Sequence, residues 1–274
     1  PGASAAPSMC VELNLPGDNT SALHGNAVLT RHSFSSPEVV RLTRCENNFE
    51  SAERRLGGRI GVLVDLEING AHLNVATTHL DVVHSPRCRA KQMRAMLEAL
   101  DRRANRQGSR TSGVVVGGDL NTHTFARGGR LRTMKNAAVI LGSRASSLRD
   151  RLRNPERTEP AIGEFVRFGY ETHGLNDREP TNRSIVSALD DSSRLPLPMK
   201  WWVRSRVPPE GLLLEFRLDW LAARGLKPLA AGETADRDTG VVSIAAQTIS
   251  GLTQNGQFLS DHNPIVVDLE VPHT

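Results

Sequence analysis

The sequence predicts an α/β protein with a two-sheet core and helices outside it, and three observations carry that expectation. Two apolar strand patterns, Ile60 to Ile68 and Ala71 to Thr77, flank Asn69-Gly70, a two-residue turn signal that predicts an antiparallel hairpin. From Arg89 to Arg103, Met93, Met96, Leu97 and Leu100 recur at helical spacing with basic residues between them, the pattern of an amphipathic helix on a core. Strand patterns then return towards the C-terminus, over Leu212 to Ala222 and Pro264 to Val271.

Taken in chain order, Asn26 to Leu29 reads as a first short strand, followed by the hairpin and the helix. Gly113 to Gly118 is a compact Val-rich run whose continuity predicts a strand buried on both faces, and it leads directly into Asp119. The stretch 125–217 is less regular. Charge-rich helical pieces lie around Arg130 to Arg153, and Pro196, Pro198, Pro208 and Pro209 mark links. It is expected to be a helical or loop insertion over the substrate side of a single domain spanning 1–274. No internal repeat interrupts that reading.

With 274 residues, 38% of them hydrophobic, the chain can bury a substantial core. No segment approaches the roughly 18 consecutive apolar residues of a membrane-spanning helix. Pro1 to Met9 has neither a basic leader nor an apolar signal core, so no export address is legible, and the missing initiator Met leads to the expectation of a processed product or a fragment. The net charge of +4 suits a polyanionic partner, although the positive charge is nearly all Arg, a bias that genome composition also produces. Cys10, Cys45 and Cys88 are odd in number and far apart; they are expected to be buried apolar fillers, not a disulfide framework or a zinc site.

The segment Gly117-Gly118-Asp119-Leu120-Asn121 carries the most chemistry. Side chains alternate on an extended chain, so Asp119 and Asn121 emerge on one side while Leu120 turns to the core. A carboxylate and an amide facing one cleft can hold a hard cation or a phosphate oxygen. Capping of the next turn by Asp119 is the structural alternative. Ser260-Asp261-His262-Asn263-Pro264 places an acid beside a histidine, the side chain suited to take a proton from water once its ring is oriented. Asp219, inside the apolar run Leu218-Asp219-Trp220-Leu221, needs a partner; His262 is one candidate, and Arg217 or Arg224 are the others. His79, at the end of Thr77-Thr78-His79, could stabilise a phosphate oxygen or be a structural hydrogen-bonder. Trp201-Trp202 could cover a lipid or a base, or anchor a loop to the core.

In this order, Gly25-Asn26-Ala27-Val28-Leu29-Thr30-Arg31, Thr78-His79-Leu80, Gly118-Asp119-Leu120-Asn121, Leu218-Asp219-Trp220 and Ser260-Asp261-His262-Asn263-Pro264 resemble the endonuclease/exonuclease/phosphatase superfamily over roughly Leu23 to Val271. The resemblance implies a DNase I-like fold, a four-layer α/β/β/α sandwich of two mainly antiparallel sheets with the site at one rim. It implies a divalent-metal-dependent phosphoester hydrolase, a phosphodiesterase or an endonuclease, using Mg²⁺ or Mn²⁺ and an activated water. His262 would activate that water, oriented by Asp219. Asn121 and His79 would hold phosphate oxygens, and Asp261, Asp119 and Asn121 would form the metal side.

Members of that superfamily carry a metal-binding Glu, preceded by an Asn, on strands upstream of the Gly25-type segment. Here Glu12 in Met9-Cys10-Val11-Glu12-Leu13 is the only acidic residue placed to serve, and it lacks the Gln that usually precedes the metal Glu. N-terminal truncation is therefore expected, and the alternative function is a catalytically impaired module that binds a phosphate ligand. A serine hydrolase would need a Gly-x-Ser-x-Gly elbow, which the chain lacks. Nucleic acid, phosphoinositide, sphingomyelin-like lipid and small phosphoesters all remain open as substrates.

Overall fold

The computed structural model describes residues 25–45, 58–82, 84–108, 111–122, 138–139, 142–143, 145–186, 212–229 and 246–271. Its centre is a five-stranded sheet in the order β1-β2-β3-β4-β7, formed by β1 (Phe34–Arg41), β2 (Ile60–Ile68), β3 (Ala71–His79), β4 (Thr111–Asp119) and β7 (Asp219–Arg224). The β2–β3 hairpin turns at Asn69 and Gly70, whose φ angles of 51° and 83° provide the left-handed backbone that such a turn requires. Helix α1 (Pro86–Gln107) crosses over to connect β3 with β4, the one parallel pair in the sheet.

The period-2 alternation of the strands divides the sheet into two faces. Leu63, Ala76, Val114, Val116, Trp220 and Ala222 point to one face, where Met93, Met96, Leu97 and Leu100 of α1 cover them. Gly61 keeps that contact close, because a Cβ there would lie 2.2 Å from the Met96 sulfur. On the opposite face, Val64, Leu66, Leu73 and Ala223 form a second core with Val75, Val115 and Leu221. That core is closed by Val267 and Leu269, from the short pairs β9 (Ala246–Thr248) with β12 (Ile265–Val267) and β8 (Lys227–Pro228) with β13 (Leu269–Glu270). The described residues therefore stack as helices, a five-stranded sheet and a second layer of strands.

Within 125–217, the described elements are α2 (Ala145–Arg153), a short 3-10 turn (Pro155–Arg157), α3 (Pro160–Arg167), β5 (Asn182–Val186) and β6 (Leu212–Phe216). Helix α3 places Ile162 and the fully buried Phe165 in the helix-side core. The Arg127 segment and Trp201-Trp202 lie outside the described residues.

Three expectations need correction. Asn26 to Leu29 forms no strand: Asn26 Nδ2 donates to the Ile60 carbonyl at 2.8 Å, and Leu29 is almost fully exposed. The edge strand is β1, whose Pro37 falls at a bulge between Ser35 and Glu38, where the absence of an N–H costs no ladder bond. Leu212 to Ala222 is two strands in two sheets, β6 pairing with β5 and β7 with β4, because at Leu218 and Asp219 the backbone N–H groups turn to a side chain instead of a neighbouring strand. Cys45 and Cys88 are a disulfide, not separate fillers, with Cα atoms 5.8 Å apart; a sequence separation of 43 hid a pairing that only the fold creates. Cys10 lies outside the described residues.

Candidate active site

Three of the candidate residues share one rung of the sheet. His79 at the end of β3 is the register partner of Asp119 at the end of β4, and Asp119 is the partner of Asp219 at the start of β7. Register partners project to the same face, and counting back by twos from these residues reaches Val75, Val115 and, forward, Leu221, all on the face between the strand layers. The rung therefore opens at the rim of the inter-sheet space. Gly118 lets β4 approach β3 there: its φ is 147°, and a Cβ would lie 1.9 Å from the Thr78 carbonyl oxygen.

His79 Nε2 lies 3.3 Å from Asp119 Oδ2. His262 approaches from the segment preceding β12 and places Nδ1 2.7 Å from Asp219 Oδ2. The alternative partners of Asp219 are engaged elsewhere. Arg217 lies over the Trp220 ring, 4.6 Å from its centroid, with Asp177 as its nearest acid at 3.8 Å, and Arg224 bonds Asp101 at 2.7 Å. One ligand atom from each of Asp119, Asp219 and His262 falls within 4.8 Å of the others, a group of three partly buried donors.

Asp119 takes the structural role of capping the next turn and keeps one oxygen towards the rung. Its Oδ1 accepts the Asn121 backbone N–H at 2.8 Å and so caps the turn, while Oδ2 faces His79. Asn121 takes the left-handed conformation with φ of 50° and is buried, its Nδ2 donating to the Leu80 carbonyl at 2.9 Å. Its amide thus ties the end of β4 to the end of β3. Leu120 is fully buried. Asp261 is exposed, and its carboxylate stands apart from the three-donor group while its carbonyl accepts from Asn182 Nδ2 at 3.2 Å. Glu12 lies outside the described residues.

Burial, followed by the charge of Asp219, pushes the Asp119 carboxyl up to about 7, against the opposing Asn121 N–H and the charge of His262. The hydrogen bond that His262 donates to Asp219 raises the imidazole to about 9, outweighing the effect of its own burial. At neutral pH the metal-free site holds a protonated imidazole against Asp219 beside a carboxyl near its midpoint. Two carboxylates with one imidazole are a donor set that could hold a divalent cation.

The residues that hold these pieces together escaped the sequence reading. Pro180-Thr181-Asn182 grips both halves of the His262–Asp219 pair. Thr181 Oγ1, fully buried, accepts the N–H groups of Leu218 and Asp219 at 2.9 and 3.1 Å. Asn182 bridges to His262, and the Asn263 N–H donates to the Thr181 carbonyl at 2.7 Å. Thr122 accepts the Trp220 indole N–H at 3.0 Å, and Asn176 accepts the Leu221 N–H at 2.9 Å on the side of β7 where Ala223 bridges to Glu171. A Thr-Asn pair after Pro is an ordinary loop signal and could not disclose that role.

Among solved structures, the chain is similar at low identity to several endonuclease/exonuclease/phosphatase proteins. One from Beutenbergia cavernae is 16% identical, with 88% of this chain and 46% of that one aligned at a TM-score of 0.43. A Leptotrichia buccalis family member is 16% identical over 88% of this chain and 63% of its own, at 0.45. TDP2 of D. rerio, solved with a single-strand DNA product, is 15% identical over 88% and 69%, at 0.44. The chain spans about half of the first and under two thirds of the second. No family model matches the sequence, and no curated protein does.

Proposed function

We propose that the chain hydrolyses phosphoesters with the help of a divalent cation, Mg²⁺ or Mn²⁺. One observation supports this above the others: His79, Asp119 and Asp219 occupy a single rung across three strands, and His262 closes onto it through Asp219. Asp119 and Asp219 would hold the cation, with Asp261 on its solvent side. Such a cation neutralises phosphate charge and stabilises the leaving oxygen.

The rest falls to the side chains. Asp219 holds Nδ1 of His262, so the ring exchanges protons with water through Nε2. Asp219, its charge shared with a bound cation, would hold the imidazolium less tightly and free Nε2 to accept. Water then loses a proton to Nε2 as its oxygen bonds phosphorus, the bond from phosphorus to the leaving oxygen breaks, and that oxygen takes a proton from solvent to depart as an alcohol. His79 donates to a phosphate oxygen. Asn121 holds the two strand ends in place through its bond to the Leu80 carbonyl.

The test is turnover of an aryl phosphodiester, plasmid DNA and phospholipid vesicles, each with Mg²⁺ and with chelator. Expected is metal-dependent hydrolysis of at least one, abolished by His262→Ala and by Asp119→Ala. Turnover indifferent to chelator and to both substitutions would overturn the assignment. Phosphate binding without turnover on any of the three would favour the non-catalytic module.

A further inference from the structure

Beside the His262–Asp219 pair is a cavity of about 400 Å³ with a mixed lining. Asp219 and His262 face it, with Ser260 and Asn263. The rest of its wall is apolar, formed by Leu221 of β7, Ile265 of β12, and Leu252, Phe258 and Leu259. The last three belong to a hairpin of β10 (Thr253–Gln254) and β11 (Gln257–Phe258), turned at Asn255 and Gly256. They are 42%, 75% and 60% exposed, so the hairpin places large, solvent-facing apolar side chains on the wall of the same cavity that Asp219 and His262 line.

Scattered apolar residues on a surface need no explanation, but three gathered on the wall of one cavity do. We propose that this cavity receives the organic group of the phosphoester, and that this group is an alkyl or aryl chain and not a polyol. The proposal rests on the phosphoester-hydrolase reading of the site. The shared lining argues it: a phosphate held at Asp219 and His262 leaves whatever the ester oxygen carries against the apolar side chains of the same cavity, Leu221, Phe258 and Leu259 among them. A sugar or inositol ring there would leave hydroxyl groups facing hydrocarbon without partners, an arrangement that costs free energy at each hydroxyl. A hydrocarbon chain loses nothing and gains with each methylene removed from water.

The experiment measures binding of methyl-, butyl-, octyl- and benzylphosphonate, with Mg²⁺ present, by calorimetry on the unmodified protein and on the double variant Phe258→Ser/Leu259→Ser. These two side chains are exposed, and the hairpin turn does not depend on them. Expected is a Kd that falls by up to about fourfold per added methylene until the wall is covered. In the variant, that gain should shrink for octylphosphonate while methylphosphonate binds as before. The benzyl compound separates aryl from alkyl preference. A Kd that does not change with chain length, or a gain untouched by the double substitution, overturns the proposal. A parallel assay on methyl and octyl p-nitrophenyl phosphodiesters keeps the two readings apart. A chain-length gain in binding without hydrolysis of either ester rejects the hydrolase and keeps the apolar subsite, whereas hydrolysis of both at equal kcat/KM rejects the subsite alone.

Discussion

His262 Nδ1 and Asp219 Oδ2 lie 2.7 Å apart although 43 residues separate them in sequence, and each comes from a different strand layer. A partly buried bond from carboxylate to imidazole fixes which ring nitrogen is held and which one meets water. Asp219→Asn preserves the shape but removes the charge. It should return His262 from about 9 towards its ordinary range and lower kcat by a factor of about 10² to 10⁴. NMR titration of the His262 ring together with kcat measures both, and an unchanged titration would refute the pairing.

The two shifted groups make the metal-free protein less stable as pH rises. Asp119 holds its proton up to about 7 when folded but loses it near about 4 when unfolded, so stability falls between those values. His262 is raised from about 6.5 in the unfolded chain to about 9, so its contribution is complete below about 6.5 and disappears as pH climbs through about 9. Melting temperature in chelator should therefore decline from mildly acidic to alkaline pH, and Asp119→Asn should flatten the acidic half. Because a cation favours ionised Asp119, added Mg²⁺ should raise Tm more in mildly alkaline than in acidic buffer. Equal gains at both would contradict a cation at Asp119.

Thr181→Val removes one acceptor from two buried N–H groups at nearly constant volume. A loss of about 1–3 kcal/mol is expected, with kcat falling and KM little changed, since the group lost holds Asp219 and not substrate. Thr181→Ser restores the oxygen and should recover most of both. Urea denaturation and steady-state kinetics on the two variants decide this, and a serine variant as impaired as the valine variant would show that the methyl group, not the hydroxyl, matters.

The Cys45–Cys88 bridge closes a loop with a sequence separation of 43 and ties the chain after β1 to the first turn of α1. Loop-closure entropy gives such a cross-link about 4 kcal/mol. Cys45→Ser/Cys88→Ser, or reduction, should lower the urea midpoint accordingly. An identical midpoint with and without reductant would mean the thiols are not joined.

The sequence by itself determined the local elements and the chemical cast. The Asn-Gly turn fixed the hairpin register, the Met and Leu spacing fixed the face of α1 that is buried, and alternation along Val114 to Asn121 placed Leu120 in the core and Asp119 at the rim. These signals reach only a few residues along the chain, which is why they survive without a fold. Tertiary structure decided the relations between distant segments: that Asp219 takes His262 and not Arg217 or Arg224, that Thr181 and Asn182 clamp both, that Cys45 meets Cys88, and that Leu212 to Ala222 divides between two sheets. Each depends on which strand lies beside which, and in this protein that order is set by burying the two faces of one sheet at once. His79, Asp119, Asp219 and His262 were named from their chemistry and their places at the ends of apolar strands. That the first three stand on one rung, with the fourth closing over them, is a property of sheet register, and register is settled only when the whole core packs.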